Sequence, residues 1–178
     1  LVGEKRIAAV FVEPIAGSTG VIVPPTGYLE RIREICTRYG ILLVFDEVIC
    51  GFGRTGEAFA AQSFGVTPDI ITMAKALTNG AQPMGAVAVH TTIYQQIVNS
   101  ATQNAPEFFH GYTYSAHPAA CAAGLATLEI YRKEDLFHQA RALSAYFQDA
   151  MFDLQDLPVV ADIRGYGLLA GVEVKPAG

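Results

Sequence analysis

Lys75 and Asp46 are the two side chains whose types and positions suggest covalent chemistry. Lys75 follows the mostly apolar run 70–74, and Asp46 ends the apolar run 41–45. A lysine held against apolar surroundings loses hydration of its charged form, so its pKa falls and its neutral amine becomes a nucleophile. An amine and a carboxylate that each follow a strand-like run predict an imine-forming site with an anionic anchor.

Apolar runs and turn residues predict alternating strands and helices that bring such side chains together. Alternation of this kind is typical of an α/β layered sheet with right-handed connections between parallel strands. Ligands of open α/β sheets bind beyond the carboxyl ends of the strands, so Glu13, Asp46 and Lys75 should lie along one edge. The pattern predicts strands at 7–12, 41–45, 69–73, 85–89, 159–164 and 168–174, and helices at 26–40, 57–64, 91–99, 118–131 and 135–154.

Two predictions concern how the first elements pack. The run 7–12 is continuously apolar, which is typical of a strand covered on both faces. Thr26 is suited to cap the first long helix, and Gly40 to end it. One apolar face of this helix is predicted to consist of Leu29, Ile32, Ile35, Cys36 and Tyr39.

The composition argues against several function classes. A net charge of −5 without a basic cluster disfavours nucleic acid as a partner. No apolar run approaches the roughly 18 residues that span a bilayer, and Glu4 interrupts any signal-like N-terminal stretch. Cys36, Cys50 and Cys121 are too far apart for a metal motif and predict core residues in a reducing environment. We therefore expect a cytoplasmic protein without a bound metal or a membrane partner.

Four motifs in the chain together resemble the class III aminotransferases. These are pyridoxal-phosphate enzymes of the aspartate-aminotransferase fold, also called fold type I. Within the family, the motifs resemble the ω-amino acid–pyruvate transaminases, the group that includes β-alanine–pyruvate aminotransferase. The motifs are Glu13-Pro-Ile-Ala-Gly-Ser-Thr-Gly20, Phe45-Asp-Glu-Val-Ile49 followed by Gly51-Phe-Gly-Arg-Thr-Gly56, the segment 69–75, and His110-Gly-Tyr-Thr-Tyr-Ser-Ala-His-Pro118.

The resemblance implies a fold and a reaction. Residues 1–135 would form part of a three-layer large domain with a mostly parallel sheet, flanking helices and the pyridoxal-phosphate site. Residues 136–178 would form a connecting helix and the beginning of a small α+β C-terminal domain. The implied reaction moves an amino group from an ω-amino acid or primary amine to a keto acid such as pyruvate, in a homodimer or homotetramer.

The resemblance also assigns site residues. Lys75 would bond to the cofactor aldehyde and move the proton of the transfer, and Asp46 would pair with the pyridine nitrogen, which keeps the ring able to accept electrons. Val48 would pack against the ring, on the same face as Asp46 if the strand continues. Thr113 would reach the cofactor phosphate of a neighbouring subunit, and Glu13 would support the cofactor-binding network.

Several alternatives remain open at this point. Glu13 has a structural alternative as a turn acid satisfied by backbone amides. Arg54 has the chemistry of a carboxylate binder, although we interpret it as bracing its loop. Ser18 departs from ornithine- and GABA-type relatives, which carry a glutamate there.

The function of the chain also has alternatives. An aminomutase or a decarboxylase of the same family would share these motifs, and a non-catalytic assembly module is a further alternative. The chain begins at Leu1 without methionine and stops at Gly178. We therefore expect a piece of a longer polypeptide, which by itself would turn over little substrate.

Overall fold

The computed structural model describes residues 3–102 and 108–176 and has an α/β architecture. The strands are β1 (Ala9–Val12), β2 (Leu42–Asp46), β3 (Ile70–Met73), β4 (Ala86–Val89), β5 (Val160–Tyr166) and β6 (Leu169–Val174). The helices are α1 (Tyr28–Tyr39), α2 (Ala60–Ser63), α3 (Thr91–Ser100), α4 (Pro118–Lys133) and α5 (Leu136–Phe152), with short 3-10 turns at Glu4–Arg6 and Lys75–Leu77.

The main sheet is mixed, with the strand order β1-β2-β3-β4. Strands β1, β2 and β3 are parallel, whereas β4 is antiparallel to β3. Because parallel strands end at the same edge, Glu13, Asp46 and Lys75 leave the sheet on the side predicted from the sequence. The predicted α/β class with a mostly parallel sheet and flanking helices is confirmed.

Two glycines, rather than Thr26, set the ends of α1. Gly27 occupies the N-cap position with φ of 84°, and no side chain caps the helix start. The prediction that Thr26 caps α1 is therefore wrong. Gly40 ends the helix with φ of 65°, and its N–H faces the last carbonyls of the helix, as predicted. Both positive φ values suit glycine because it has no Cβ.

The buried face of α1 is narrower than its apolar pattern suggests. Leu29 and Cys36 are buried, and Ile32 packs against the cluster that they form with the strand residues Leu43 and Phe45. Ile35 and Tyr39 are exposed by 38% and 50%, so the apolar face predicted from the sequence is only partly buried.

Strand β1 lies at an edge of the sheet and is covered on one face only. Phe11 is 71% exposed, so the prediction of a strand buried on both faces is wrong for this residue. A run of apolar residues indicates a strand but does not show what covers it. Helix α2 is also shorter than predicted, with four residues in place of 57–64.

The hairpin formed by β5 and β6 packs on the loops that follow β1 and β2. Leu168 N–H donates to the Arg54 carbonyl at 2.8 Å, and Arg164 Nε donates to the Gly20 carbonyl at 2.9 Å. Gly167 has φ of 60°, and a Cβ there would lie 2.6 Å from the Arg54 carbonyl oxygen. The close approach therefore requires a glycine at this turn. Within the described ranges, no helix is long and apolar enough to cross a membrane.

Candidate active site

Lys75 and Val48 line one open cleft at the carboxyl edge of the parallel strands. The cleft has a volume of about 510 Å³, which lies in the usual range for sites that bind small molecules. Its other walls come from the loop after β2 and from the turn that contains Lys75. The lining residues are Val48, Ile49, Arg54, Lys75, Ala76, Asn79 and Gly80.

Lys75 has an exposed side chain and an unusual backbone conformation. It follows β3 directly and begins a 3-10 turn, with φ of 47° in the left-handed region. Apolar surroundings for this lysine, as suggested by the preceding run, are found only in part, because the turn places it exposed on the wall of an open cleft. A left-handed residue other than glycine costs about 1–3 kcal/mol, and such strain is concentrated at functional sites.

The turn after Lys75 is attached to helix α4 through Tyr131. The Tyr131 hydroxyl donates to the Ala76 carbonyl at 2.7 Å and lies 3.2 Å from Asn79 Oδ1. Leu77 is buried in the same region and packs in one cluster with Tyr131. The sequence does not indicate this contact, because the partners are more than 50 residues apart and the pattern around Tyr131 predicts only a helix.

Asp46 is the last residue of β2 and is half-buried. Its Oδ1 accepts the Val48 N–H at 3.1 Å, which forms a tight turn closed by the side chain. The strand therefore ends at Asp46 and does not extend to Val48. Val48 and Asp46 were expected to share a strand face only if the strand continued, so they do not share one. Val48 reaches the cleft through this turn, because the carboxylate of Asp46 captures its backbone amide.

Glu47 is fully buried between the two proposed cofactor contacts and was not identified from the sequence. Its Oε2 accepts the Ala60 N–H at 2.6 Å, and its Oε1 accepts the Ala61 N–H at 2.8 Å. Burial raises the pKa of this carboxyl, although the two amide hydrogen bonds act in the opposite direction. Its own N–H donates to the Thr72 carbonyl on β3 at 2.9 Å. Glu47 thus connects the ends of β2 and β3 to the start of α2.

Glu13 is a turn acid in this structure. Its Oε2 accepts the Gly17 N–H at 2.9 Å, as expected from its structural alternative. It also lies near the other strand-end acids, because Glu47, Glu13 and Asp46 all act on Cys50 electrostatically. Burial, followed by the nearby carboxylate charges, raises the pKa of the Cys50 thiol to about 12.

Thr113 lies outside the Lys75 cleft of its own chain. It belongs to an exposed segment in which Tyr112 and Tyr114 are each 80% exposed. The segment is shaped by a hydrogen bond of 2.9 Å from the Tyr112 N–H to Ser115 Oγ. Within one chain, Lys75 and Val48 thus line the same cleft, whereas Thr113 does not line it.

Arg54 contributes to the cleft in two ways. Its side chain lines the cleft with Lys75, and its carbonyl receives the hairpin N–H of Leu168. The backbone contact agrees with the interpretation that Arg54 braces its loop. An amine, a guanidinium, an apolar side chain and a nearby carboxylate fit a planar heteroaromatic aldehyde that carries a phosphate. The residues present therefore fit pyridoxal phosphate.

Comparisons of the sequence and of the structure with known proteins both identify aminotransferases as similar to this chain. The sequence profile of the family "Aminotransferase class-III" matches residues 1–178. The chain is 63% identical to the omega-aminotransferase of Caulobacter vibrioides over 97% of its own length. It is 53% identical to the beta-alanine–pyruvate aminotransferase of Pseudomonas aeruginosa, also over 97% of its length.

Solved structures show the same fold. The chain superposes on a thermostable (S)-enantioselective omega-transaminase from Thermomicrobium roseum with a TM-score of 0.89 and 44% identity, over 97% of this chain and 38% of that one. It spans only 39% of the length of each of the Caulobacter and Pseudomonas relatives. The similarity therefore covers nearly all of this chain and well under half of its relatives.

Proposed function

The chain belongs to the class III aminotransferases, and on that premise we propose that the protein carrying it transfers amino groups with pyridoxal phosphate as its cofactor. The donor would be an ω-amino acid or primary amine, and the acceptor a keto acid such as pyruvate. The observation that carries this proposal is the position of Lys75, which lies in a strained backbone turn on the wall of the cleft that Val48 also lines.

Three residues have defined tasks in this proposal: Lys75 and Val48, which line the cleft, and Asp46, which ends the strand before Val48. The cofactor, when bound, supplies an aldehyde and an electron-accepting ring. Lys75 would hold the cofactor through its aldehyde, and the lysine amine, once the donor amine has displaced it, would carry the proton between the donor carbon and the cofactor. Asp46 would hold a proton on the ring nitrogen through Oδ2, since the Val48 N–H bonds to Oδ1 and the described residues offer Oδ2 no hydrogen bond. Val48 packs against the ring.

Two further residues act around the cofactor. Thr113 would donate its hydroxyl to the cofactor phosphate of a neighbouring subunit in a homodimer or homotetramer. The exposed aromatic residues beside it support a subunit contact, because large exposed apolar patches usually mark interfaces. These residues are Phe108, Phe109, Tyr112 and Tyr114, exposed by 65% to 94%. Glu13 would hold the loop after β1 against the cofactor-binding network through the Gly17 N–H.

The substrate classes, the domain boundary and the cellular compartment are proposed from the named relatives, the sheet topology and the cysteines. The named activities of the Caulobacter and Pseudomonas relatives support the donor and acceptor classes. The separate two-stranded sheet supports a boundary near residue 135, with residues 136–178 leading into a small domain. The three free cysteines support a reducing cytoplasm.

A labelling experiment tests the assignment of Lys75. The protein is incubated with pyridoxal phosphate, reduced with borohydride and digested, and the labelled peptide is identified by mass spectrometry. We expect the label on Lys75 and its loss in Lys75→Ala. Stoichiometric label on Lys5, Lys133 or Lys175 in place of Lys75 would contradict the proposal. A keto-acid-dependent transfer assay then separates an aminotransferase from an aminomutase or a decarboxylase.

A further inference from the structure

The Tyr131 hydroxyl contacts the turn that carries Lys75 from behind the cleft. Both of its partners, the Ala76 carbonyl and Asn79 Oδ1, belong to residues that line the cleft. Tyr131 itself is only 8% exposed and does not line the cleft. Its effect on the site therefore passes through the backbone of the turn.

This turn needs support from outside because its backbone is strained. Lys75 and Asn79 both have positive φ, of 47° and 50°. Internal hydrogen bonds close the turn only locally, from the Leu77 N–H to the Ala74 carbonyl and from the Thr78 N–H to the Lys75 carbonyl. Strained residues of this kind persist only where the surrounding structure determines their conformation. A hydroxyl bound between the two strained positions provides such a constraint.

The Tyr131 ring is held in place by aromatic neighbours. It stacks on Phe52 with a centroid distance of 5.8 Å and lies 5.1 Å from the Phe137 ring centroid. Phe52 belongs to the glycine-rich loop that also brings Arg54 to the cleft. Tyr131 therefore touches two walls of one cleft, the loop through its ring and the Lys75 turn through its hydroxyl.

We propose that Tyr131 is a positioning residue that sets the orientation of the Lys75 amine toward the cofactor. The proposal rests on the proposed function, in which Lys75 bonds to pyridoxal phosphate. Without the hydroxyl, the Ala76 carbonyl and the Asn79 amide lose their common partner, and the turn gains alternative conformations. The amine then spends less time in the productive orientation, although Lys75 itself is unchanged.

Tyr131→Phe removes only the hydroxyl and keeps the stacked ring. In the protein carrying this chain, we expect the Kd for pyridoxal phosphate to rise and the rate of borohydride-trapped labelling at Lys75 to fall, each by about 10- to 100-fold. We also expect kcat to fall while KM for the amine donor changes by less than about twofold, since the donor contacts are not altered.

Tyr166→Phe is a matched control. Tyr166 also stacks on a phenylalanine, Phe64, at 5.2 Å, but its hydroxyl makes no hydrogen bond within residues 3–102 and 108–176. The same chemical change should leave the Kd and the labelling rate within about twofold of the wild-type values. Circular dichroism and thermal unfolding are measured for both variants, and the comparison is made at a temperature where both are folded.

The outcomes separate the two proposals. If wild-type protein is labelled at Lys75 and Tyr131→Phe keeps its Kd and labelling rate, the positioning role is wrong and the proposed function stands. If Tyr166→Phe shows the same losses as Tyr131→Phe, the effect is general destabilisation and the positioning role is also wrong. If wild-type protein is not labelled at Lys75, both proposals fail together.

Discussion

One aspartate lies at each edge of the sheet where β2 pairs with β3. Asp69 lies at the amino edge and Asp46 at the carboxyl edge, and the two aspartates have different surroundings. At the amino edge, Asp69 Oδ2 accepts the Leu43 N–H and a guanidinium N–H of Arg33, both at 2.7 Å. At the carboxyl edge, Asp46 Oδ1 accepts only the Val48 N–H from the described part of the chain. The number of protein partners, rather than the residue type, distinguishes this structural carboxylate from Asp46, which we propose binds the cofactor.

The electrostatics of Asp69 agree with a structural role. Burial acts to raise its pKa, but the Leu43 N–H and the Arg33 guanidinium outweigh burial, so the pKa of this carboxyl lies below its ordinary value. The ionised form is therefore the stable form at neutral pH. It joins α1 to the start of both strands, far along the sheet from the Lys75 turn.

Asp46→Asn should produce the largest effect on ligand binding. We expect the Kd for pyridoxal phosphate to rise by about 10- to 100-fold, because a neutral amide does not hold a proton on the ring nitrogen. The free energy of unfolding of the cofactor-free protein should change by less than about 1 kcal/mol, since the asparagine amide oxygen still accepts the Val48 N–H. Absorbance titration and urea unfolding measure the two quantities. An unchanged Kd would remove Asp46 from the site.

Asp69→Asn should show the reverse pattern. We expect the free energy of unfolding to fall by about 1.5–3 kcal/mol, because a charge-assisted hydrogen bond to Arg33 is lost. The Kd for pyridoxal phosphate should stay within about twofold of the wild-type value at a temperature where the variant is folded. Urea unfolding measures the free energy of unfolding, and the absorbance titration measures the Kd for pyridoxal phosphate. A large loss of affinity without a loss of stability would contradict the contrast between the two edges.

The pH dependence of stability should give the smallest effect. A carboxyl with a lowered pKa stabilises the fold above its unfolded-state pKa, near the ordinary value of 3.8, and this contribution is lost as the pH falls through the lower folded value. Wild-type protein should therefore lose more stability than Asp69→Asn on acidification below about pH 4. Urea unfolding at several pH values measures the difference. If the free energy of unfolding falls by the same amount in wild-type protein and in Asp69→Asn, Asp69 makes no contribution to the pH dependence of stability.

Elements with strong local signals were predicted well from the sequence. The buried run before Asp46 predicted β2, Gly40 predicted the end of α1, and the parallel order placed three strand ends at one edge. These predictions rest on backbone preferences and apolar periodicity, which act over a few residues. Features that depend on distant partners were predicted poorly, as Phe11 and Tyr39 show by their exposure.

In the candidate site, too, local features were predicted from the sequence and features with distant partners were not. The motifs identified Lys75, Asp46 and Val48 as candidates, but they did not indicate the turn that Asp46 closes or the exposure of Lys75. Glu47 and Tyr131 were missed altogether. Their partners lie 13 and 55 residues away, so no local pattern indicates them.

The sequence alone determined the kinds of elements, their order and the chemical groups at the strand ends, because these follow from residue type and short-range spacing. Only the tertiary structure decided which carboxylate is satisfied by protein donors, which lysine lies on a cleft wall and which hydroxyl supports its turn. These properties depend on hydrogen bonds and burial between segments far apart in the chain, and the fold alone brings those segments together.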